Sequence, residues 1–278
     1  MRDYSGVISL TKNGRGVYCL DTTMGCKSGM ENEKNGCYND CYAAKSARFY
    51  GYDFNKTILR EFKDERHRRE ILNQINNIKL DFVRIGCSGD PSENWQHTIK
   101  ILKGIDTCNK QIVIITRHWT ILTDEQLDYF KTINVCVNTS ISALDKTRVF
   151  NNCLEQYNRL KYYCKSILRI VSCDFNTNNE TGLRLSKMQE GLFKNDSTLD
   201  TVLRVNKKNK FVTDEIINIK RSRFIGKNAF VSRHNKKTYL GKCGACKEMC
   251  GINIKPEIQL YPNKRGIFKQ LNIFKQTP

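Results

Sequence analysis

Five nearly continuous apolar runs, each followed by a longer amphipathic stretch, restrict the folds open to this chain more than any other feature. They are Asp81 to Cys87, Gln111 to Thr116, Val135 to Ile141, Ser166 to Ser172 and Thr201 to Val205. Strands this uniformly apolar are covered on both faces, as parallel strands flanked by helices are. Gly16 to Asp21 reads as an earlier, sixth strand. Helices are expected at Tyr42 to Tyr50, Thr57 to Asn77, Ser92 to Lys103, Thr123 to Lys131, Lys146 to Tyr163 and Thr181 to Phe193. His67, in the charged middle of the second of these, belongs to a solvated face. Strand–helix units with right-handed connections predict an α/β fold, a partial (β/α)6 TIM-like barrel with a small C-terminal cysteine-rich extension. At 278 residues one large domain is the default. The barrel is expected over residues 1–210 and the basic extension over 211–278.

In such a barrel, functional residues gather at the C-terminal ends of the strands. Those ends are Gly86-Cys87-Ser88-Gly89-Asp90-Pro91-Ser92-Glu93, Thr116-Arg117-His118-Trp119, Asn138-Thr139-Ser140-Ile141-Ser142, Cys173-Asp174 after Arg169, and Arg204 with Asn206. Each has a bland alternative: Asp90 or Ser92 as a helix cap, Arg117 and Arg169 as surface charge. As a set at one mouth they are candidates for a ligand site.

Three thiols precede these strands, in Gly25-Cys26-Lys27-Ser28-Gly29-Met30-Glu31-Asn32-Glu33-Lys34-Asn35-Gly36-Cys37-Tyr38-Asn39-Asp40-Cys41-Tyr42-Ala43-Ala44. Cys37 and Cys41 are four apart, so on a helical turn they share one face, and Cys26 returns through the loop. Glycines give that return its backbone freedom. Buried free cysteine is common as core filler, but this segment is polar and lacks apolar periodicity. Three thiolates fit an iron–sulfur cluster with one iron left open, able to bind substrate or cofactor directly. Cys19, on the preceding strand, is read as packing.

Net charge is +19, from 47 Lys and Arg against 28 Asp and Glu. An anionic partner, nucleic acid first, follows on electrostatic grounds, unless the Lys- and Asn-rich composition simply drifts basic. The densest region runs through Lys207-Lys208-Asn209-Lys210, Lys220-Arg221-Ser222-Arg223, Lys227, Arg233 and Lys236-Lys237. Phe211, Phe224, Phe230 and Tyr239 interleave it, a mixture able to pair phosphates and stack bases or, equally, to be core. No run of about 18 apolar residues occurs, and the first residues lack a signal-peptide stretch. A cytoplasmic protein with no membrane association is expected. There its thirteen cysteines would be reduced thiols or metal ligands, not a disulfide framework.

The three-cysteine loop after the first strand, the small-residue turn ending the second, Ser140-Ile141-Ser142 and the Arg-bearing fifth strand resemble the radical S-adenosylmethionine (SAM) superfamily. More narrowly, Cys37-Tyr38-Asn39-Asp40-Cys41-Tyr42-Ala43, Val83-Arg84-Ile85-Gly86-Cys87-Ser88-Gly89-Asp90 and Thr116-Arg117-His118-Trp119 resemble the phage-borne radical-SAM-like group called gene product eighty-eight. The similarity spans about residues 15 to 250. It implies a 4Fe–4S cluster on Cys26, Cys37 and Cys41 whose open iron is chelated by SAM. Reductive cleavage of the sulfonium then yields a 5′-deoxyadenosyl radical that abstracts hydrogen from an unactivated C–H bond. The resemblance places Ser88, Gly89 and Asp90 by the methionine amino group and Arg169 or Ser140 by its carboxylate or ribose. Tyr42, Thr116 and Ser142 complete the implied SAM-binding set. It also implies an external electron donor such as flavodoxin or ferredoxin. The superfamily's usual motif has gaps of three and two residues, with an aromatic just before the third cysteine. Here the gaps are ten and three and Tyr42 follows Cys41. That leaves Cys19 as an alternative to Cys26, which the loop position favours.

A second cysteine set closes the chain in Gly241-Lys242-Cys243-Gly244-Ala245-Cys246-Lys247-Glu248-Met249-Cys250-Gly251. Three thiolates in eight residues are a metal signal, with zinc and iron–sulfur both possible and His234 a conceivable fourth zinc ligand. Resemblance to radical SAM enzymes with auxiliary clusters favours a second 4Fe–4S cluster there. Three functions follow: a radical SAM enzyme modifying a nucleic-acid base or nucleotide, one modifying a peptide or protein, or a non-catalytic nucleic-acid-binding protein stabilised by metal.

Overall fold

The structure, a computed structural model, describes residues 5–195, 197–203 and 243–256, with the backbone of four short strands between 230 and 270. It is an α/β protein built on one seven-stranded, mostly parallel sheet. The strands that enter it are β1 (Leu10–Lys12), β2 (Tyr18–Leu20), β5 (Phe82–Ile85), β6 (Gln111–Thr116), β7 (Val135–Ile141), β8 (Lys165–Ser172) and β9 (Thr198–Val202), side by side in chain order. Only β1 runs antiparallel, joined to β2 through a turn in which Asn13 and Gly16 are hydrogen-bonded. A separate pair, β3 (Thr23–Met24) with β4 (Ile58–Leu59), closes the neck of the cysteine loop. Two hairpin-like pairs lie later, β10 (Phe230–Arg233) with β11 (Lys236–Tyr239) and β12 (Leu260–Pro262) with β13 (Phe268–Gln270).

Seven α-helices are described: α1 (Lys27–Asn32), α2 (Tyr42–Phe49), α3 (Glu65–Asn76), α4 (Trp95–Lys103), α5 (Asp124–Phe130), α6 (Thr147–Leu160) and α7 (Glu180–Phe193). Alternate residues along a strand face opposite sides, and the packing follows that period. Val83, Ile85, Ile112, Ile114, Val135 and Val137 bury against Ile71, Ile75, Ile101, Leu102, Leu127 and Phe130 of α3, α4 and α5. Ile141, Leu168 and Ile170 continue that face against α6 and α7 through Val149, Tyr157 and Leu192. The intervening residues Phe82, Val113, Cys136, Ile167 and Leu199 point the other way, onto Cys243 and Cys250 of the C-terminal segment.

Several expected boundaries move. The helix expected over Thr57 to Asn77 is strand β4 at its start and helix only from Glu65, where Asp64 caps it by accepting from the His67 amide. The last strand lies at Thr198–Val202 instead of Thr201 to Val205, because pairing to β8 fixes Leu199 opposite Arg169. Ser92 sits in a short 3-10 turn (Pro91–Glu93) before α4, with Asp90 as its cap. Arg204 and Asn206, the basic run 207–227 and His234 lie outside the described residues. No helix among the described residues is long and apolar enough to cross a membrane.

Candidate metal and cofactor site

On the face of the sheet away from α3–α7 lies a cavity of about 450 Å³, the size of a small-molecule site. Arg84 and Gly86, Ile115, Ser140, Arg169 and Val171, and Leu199 and Thr201 line it, contributed in turn by β5, β6, β7, β8 and β9. Arg169 and Val171 on β8, and Leu199 and Thr201 on β9, are two residues apart, as one face of a pleated sheet requires.

Cys26, Cys37 and Cys41 all reach this cavity. Their local setting differs from a shared helical turn. Cys26 precedes α1, its amide donating to the Phe54 carbonyl at 3.0 Å and its thiol to Glu93 Oε1 at 3.4 Å. Cys37 opens a one-turn 3-10 helix in which Tyr38 and Asn39 both adopt left-handed φ, at 60° and 56°. Cys41 lies past that turn, at the N-cap of α2. Glycine is needed at two places here by close approach. A Cβ on Gly36 would stand 2.6 Å from Cys41 Cβ, and one on Gly29 2.8 Å from Cys26 Sγ.

Burial is the main influence on all three thiols: it pushes Cys37 up to about 12, Cys26 well above the usual thiol range and Cys41 up as well. A metal must therefore displace their protons. Among the described residues no three His, Cys, Asp or Glu side chains meet closely enough to hold one metal ion. Cys26, Cys37 and Cys41 line the cavity together, and no imidazole lines it. A polynuclear cluster is held by thiolates set further apart than the ligands of a single ion. In donor type and cavity size, the set fits an iron–sulfur cluster.

The strand-end residues fall into two groups. Gly89, Asp90, Thr116, Ser140, Arg169 and Tyr42 line the cavity, whereas Ser88 and Ser142 do not. Ser88 is buried, and its carbonyl accepts from the Gly25 amide at 3.1 Å, fastening the cysteine loop to the strand end. Ser142 spends its hydroxyl on the Val171 carbonyl and its amide on Asp145. Asp90 accepts from the Ser92 amide and hydroxyl, from Thr116 Oγ1 at 2.7 Å and from the Arg117 amide at 2.8 Å. It is thus the knot tying the ends of β5 and β6, and the cap reading of the sequence holds for it. Tyr42 donates its hydroxyl to the Cys87 carbonyl at 2.7 Å.

Arg117 is not surface charge. It is buried, paired with Asp145 at 2.5 Å, bonded to the Tyr38 hydroxyl and stacked 4.9 Å from that ring. Asp21, also buried, accepts from the Cys87 amide at 2.6 Å and shapes the turn after β5. Sequence reasoning missed Asp21, Tyr38 and Asp145; a carboxylate at the very end of the apolar run 16–21 was the visible signal for the first.

The second cysteine set is not a free extension. Residues 243–256 pack on the cavity face: Asn138 Nδ2 donates to the Cys250 carbonyl at 3.0 Å, and the Cys243 amide donates to the Arg15 carbonyl at 2.9 Å. Cys243, Cys246 and Cys250 line the same cavity as the first trio. Met249 and Cys250 are again left-handed, at φ 42° and 56°. Of the five non-glycine residues with positive φ among those described, four therefore flank or include a candidate ligand, as strained backbone at functional turns does.

Cys19 is more than packing. Its sulfur is joined to that of Cys87 as a disulfide, with Cα atoms 6.5 Å apart, so the expectation of free thiols throughout fails at this pair. The register that sets Cys19 opposite Arg84 brings the two sulfurs to one face. The other eleven cysteines are free, and Cys26, not Cys19, lines the cavity with Cys37 and Cys41.

Comparison with protein-family models, with curated proteins and with solved structures finds no match to this chain.

Proposed function

We propose that this protein is a radical SAM enzyme of the gene-product-eighty-eight type, and that its sheet is the curved partial (β/α)6 barrel of that superfamily. One observation carries the reading: three cysteines from a polar loop line one cavity with the C-terminal ends of five successive parallel strands. Cys26, Cys37 and Cys41 would hold a 4Fe–4S cluster. Bound there with SAM, the cluster supplies reductive cleavage of a sulfonium, giving a radical able to abstract hydrogen.

The chain's own residues have definable tasks in that reading. Gly89, where a Cβ would stand 2.5 Å from the Thr23 carbonyl oxygen and 2.7 Å from that of Gly25, lets the neck of the cysteine loop lie directly against the strand end. Arg169, facing the cavity with Cys250 as its strongest anionic neighbour, offers a guanidinium to a carboxylate, and Ser140 offers a hydroxyl beside it. Asp90 and Thr116 hold each other and position the turn. Tyr42 and Trp119 add aromatic lining to the cavity.

The net charge of +19 favours a nucleic-acid base or nucleotide as substrate, with an external flavodoxin or ferredoxin as reductant. The test is anaerobic reconstitution with iron, sulfide and SAM, reading cluster absorbance and 5′-deoxyadenosine release. Cys41→Ala is expected to abolish 5′-deoxyadenosine release and to lower the cluster absorbance by the share of one cluster, and retention of the release or of the full absorbance would remove Cys41 from the site.

A further inference from the structure

We infer that Cys87, at the end of β5, is the fourth protein ligand of the second cysteine site, joining Cys243, Cys246 and Cys250 around a fully protein-ligated iron–sulfur cluster. The inference rests on the reading of residues 243–250 as a metal site and adds a donor that sequence spacing could not reveal, 156 residues before Cys243.

The geometry runs through Arg84. Its Nε donates to Cys87 Sγ at 3.0 Å, and Cys250 and Cys243 stand close enough to the same guanidinium to act on it electrostatically. One cation thus bridges a strand cysteine and a C-terminal cysteine. Cys87, Cys243 and Cys250 also share one buried cluster of side chains, and all three line the cavity with Cys246.

The charge pattern agrees. Arg84 and Arg169 both face the cavity, and their strongest anionic neighbours are thiols, Cys250 first for each. Arg15 stands close enough to act on Cys243. Arg15, Arg84 and Arg169 line the cavity together with these cysteines, and a concentration of positive charge there complements a cluster of net negative charge.

Cys87 can ligate only as a thiolate. A Cys19–Cys87 disulfide must first take two electrons and two protons from a dithiol reductant, which closes to its own disulfide. Cys19 then returns to a packing role beside its donor Asn13.

The test uses the full chain carrying Cys26→Ala, Cys37→Ala and Cys41→Ala, reconstituted anaerobically with iron and sulfide under excess dithiol. Roughly four irons per chain are expected at the second site. Adding Cys87→Ala should lower iron retained against a chelator by about tenfold or more. Cys19→Ala, which removes the same buried sulfur pair, should retain it. Equal retention in both variants overturns the inference, as does equal loss accompanied by a changed circular dichroism spectrum, which makes the pair structural. Absence of iron in the triple variant, with the unmutated chain still holding cluster on Cys26, Cys37 and Cys41, overturns it and leaves the proposed activity standing.

Discussion

Asp145 holds the Arg117 guanidinium at 2.5 Å while both are buried, one shell behind Cys37. Tyr38, next to Cys37, closes the other side of that guanidinium with its ring and hydroxyl. The turn that presents Cys37 is therefore braced by a charge pair from the segments just after β6 and after β7.

Removing one member of a buried pair leaves the other charge uncompensated. Asp145→Ala is expected to lower the unfolding free energy by about 3–5 kcal/mol in urea titration of the apoprotein. An Arg117→Met, Asp145→Leu double variant should recover much of that loss, because the orphan charge is gone. Recovery of nothing would show that the pair orders the turn by geometry alone.

Gly86 has φ of +90°, and a Cβ there would lie 2.2 Å from the Ile115 carbonyl oxygen. Backbone at that distance cannot give way cheaply. Gly86→Ala should cost about 3 kcal/mol or more, seen as a lowered thermal midpoint, whereas Gly191→Ala, with open space around it, should change little.

His118 is fully buried, and desolvation first, with Arg117 and Arg159 adding repulsion, lowers its value to about 3. The unfolded chain binds this proton near the ordinary histidine range of about 6.5 and the folded chain resists it. Stability from this group is full above about 6.5 and falls as pH drops toward about 3, by up to roughly 1.4 kcal/mol per pH unit. His118→Gln should flatten that part of the apoprotein's acid-unfolding curve, and an unchanged slope would assign the acid sensitivity elsewhere.

Cys153 and Cys164 are buried among apolar side chains away from the cavity, the first donating its thiol to the Arg117 carbonyl at 3.2 Å. Their replacement by Ala should leave iron per chain unchanged. A loss of iron with the fold intact would show that the ligand set has been misassigned.

Binding of single-stranded RNA or DNA should weaken by about tenfold or more between 50 and 200 mM salt if phosphate contacts carry it. Affinity that holds steady across that range would direct the substrate search to peptides.

Much of this protein is written locally. The apolar runs at Gln111 to Thr116 and Val135 to Ile141 are strands to the residue, because a parallel strand buried on both faces is mostly apolar. The three-cysteine loop and the closing trio could be picked out because thiols in polar, glycine-rich segments have no packing role to explain them. What local pattern leaves open is where long-range packing sends each group. Asp90 and Arg117 read as a cap and a surface charge, yet one ties two strand ends and the other is buried on Asp145. Strand register decided that Cys19 meets Cys87, and the docking of residues 243–256 on the cavity face decided that Cys250 meets Arg84. Composition and periodicity act over a few residues and suffice for elements and for kinds of ligand. Neighbours 68 or 166 residues apart are chosen only when the sheet completes its pairing and its two faces are filled.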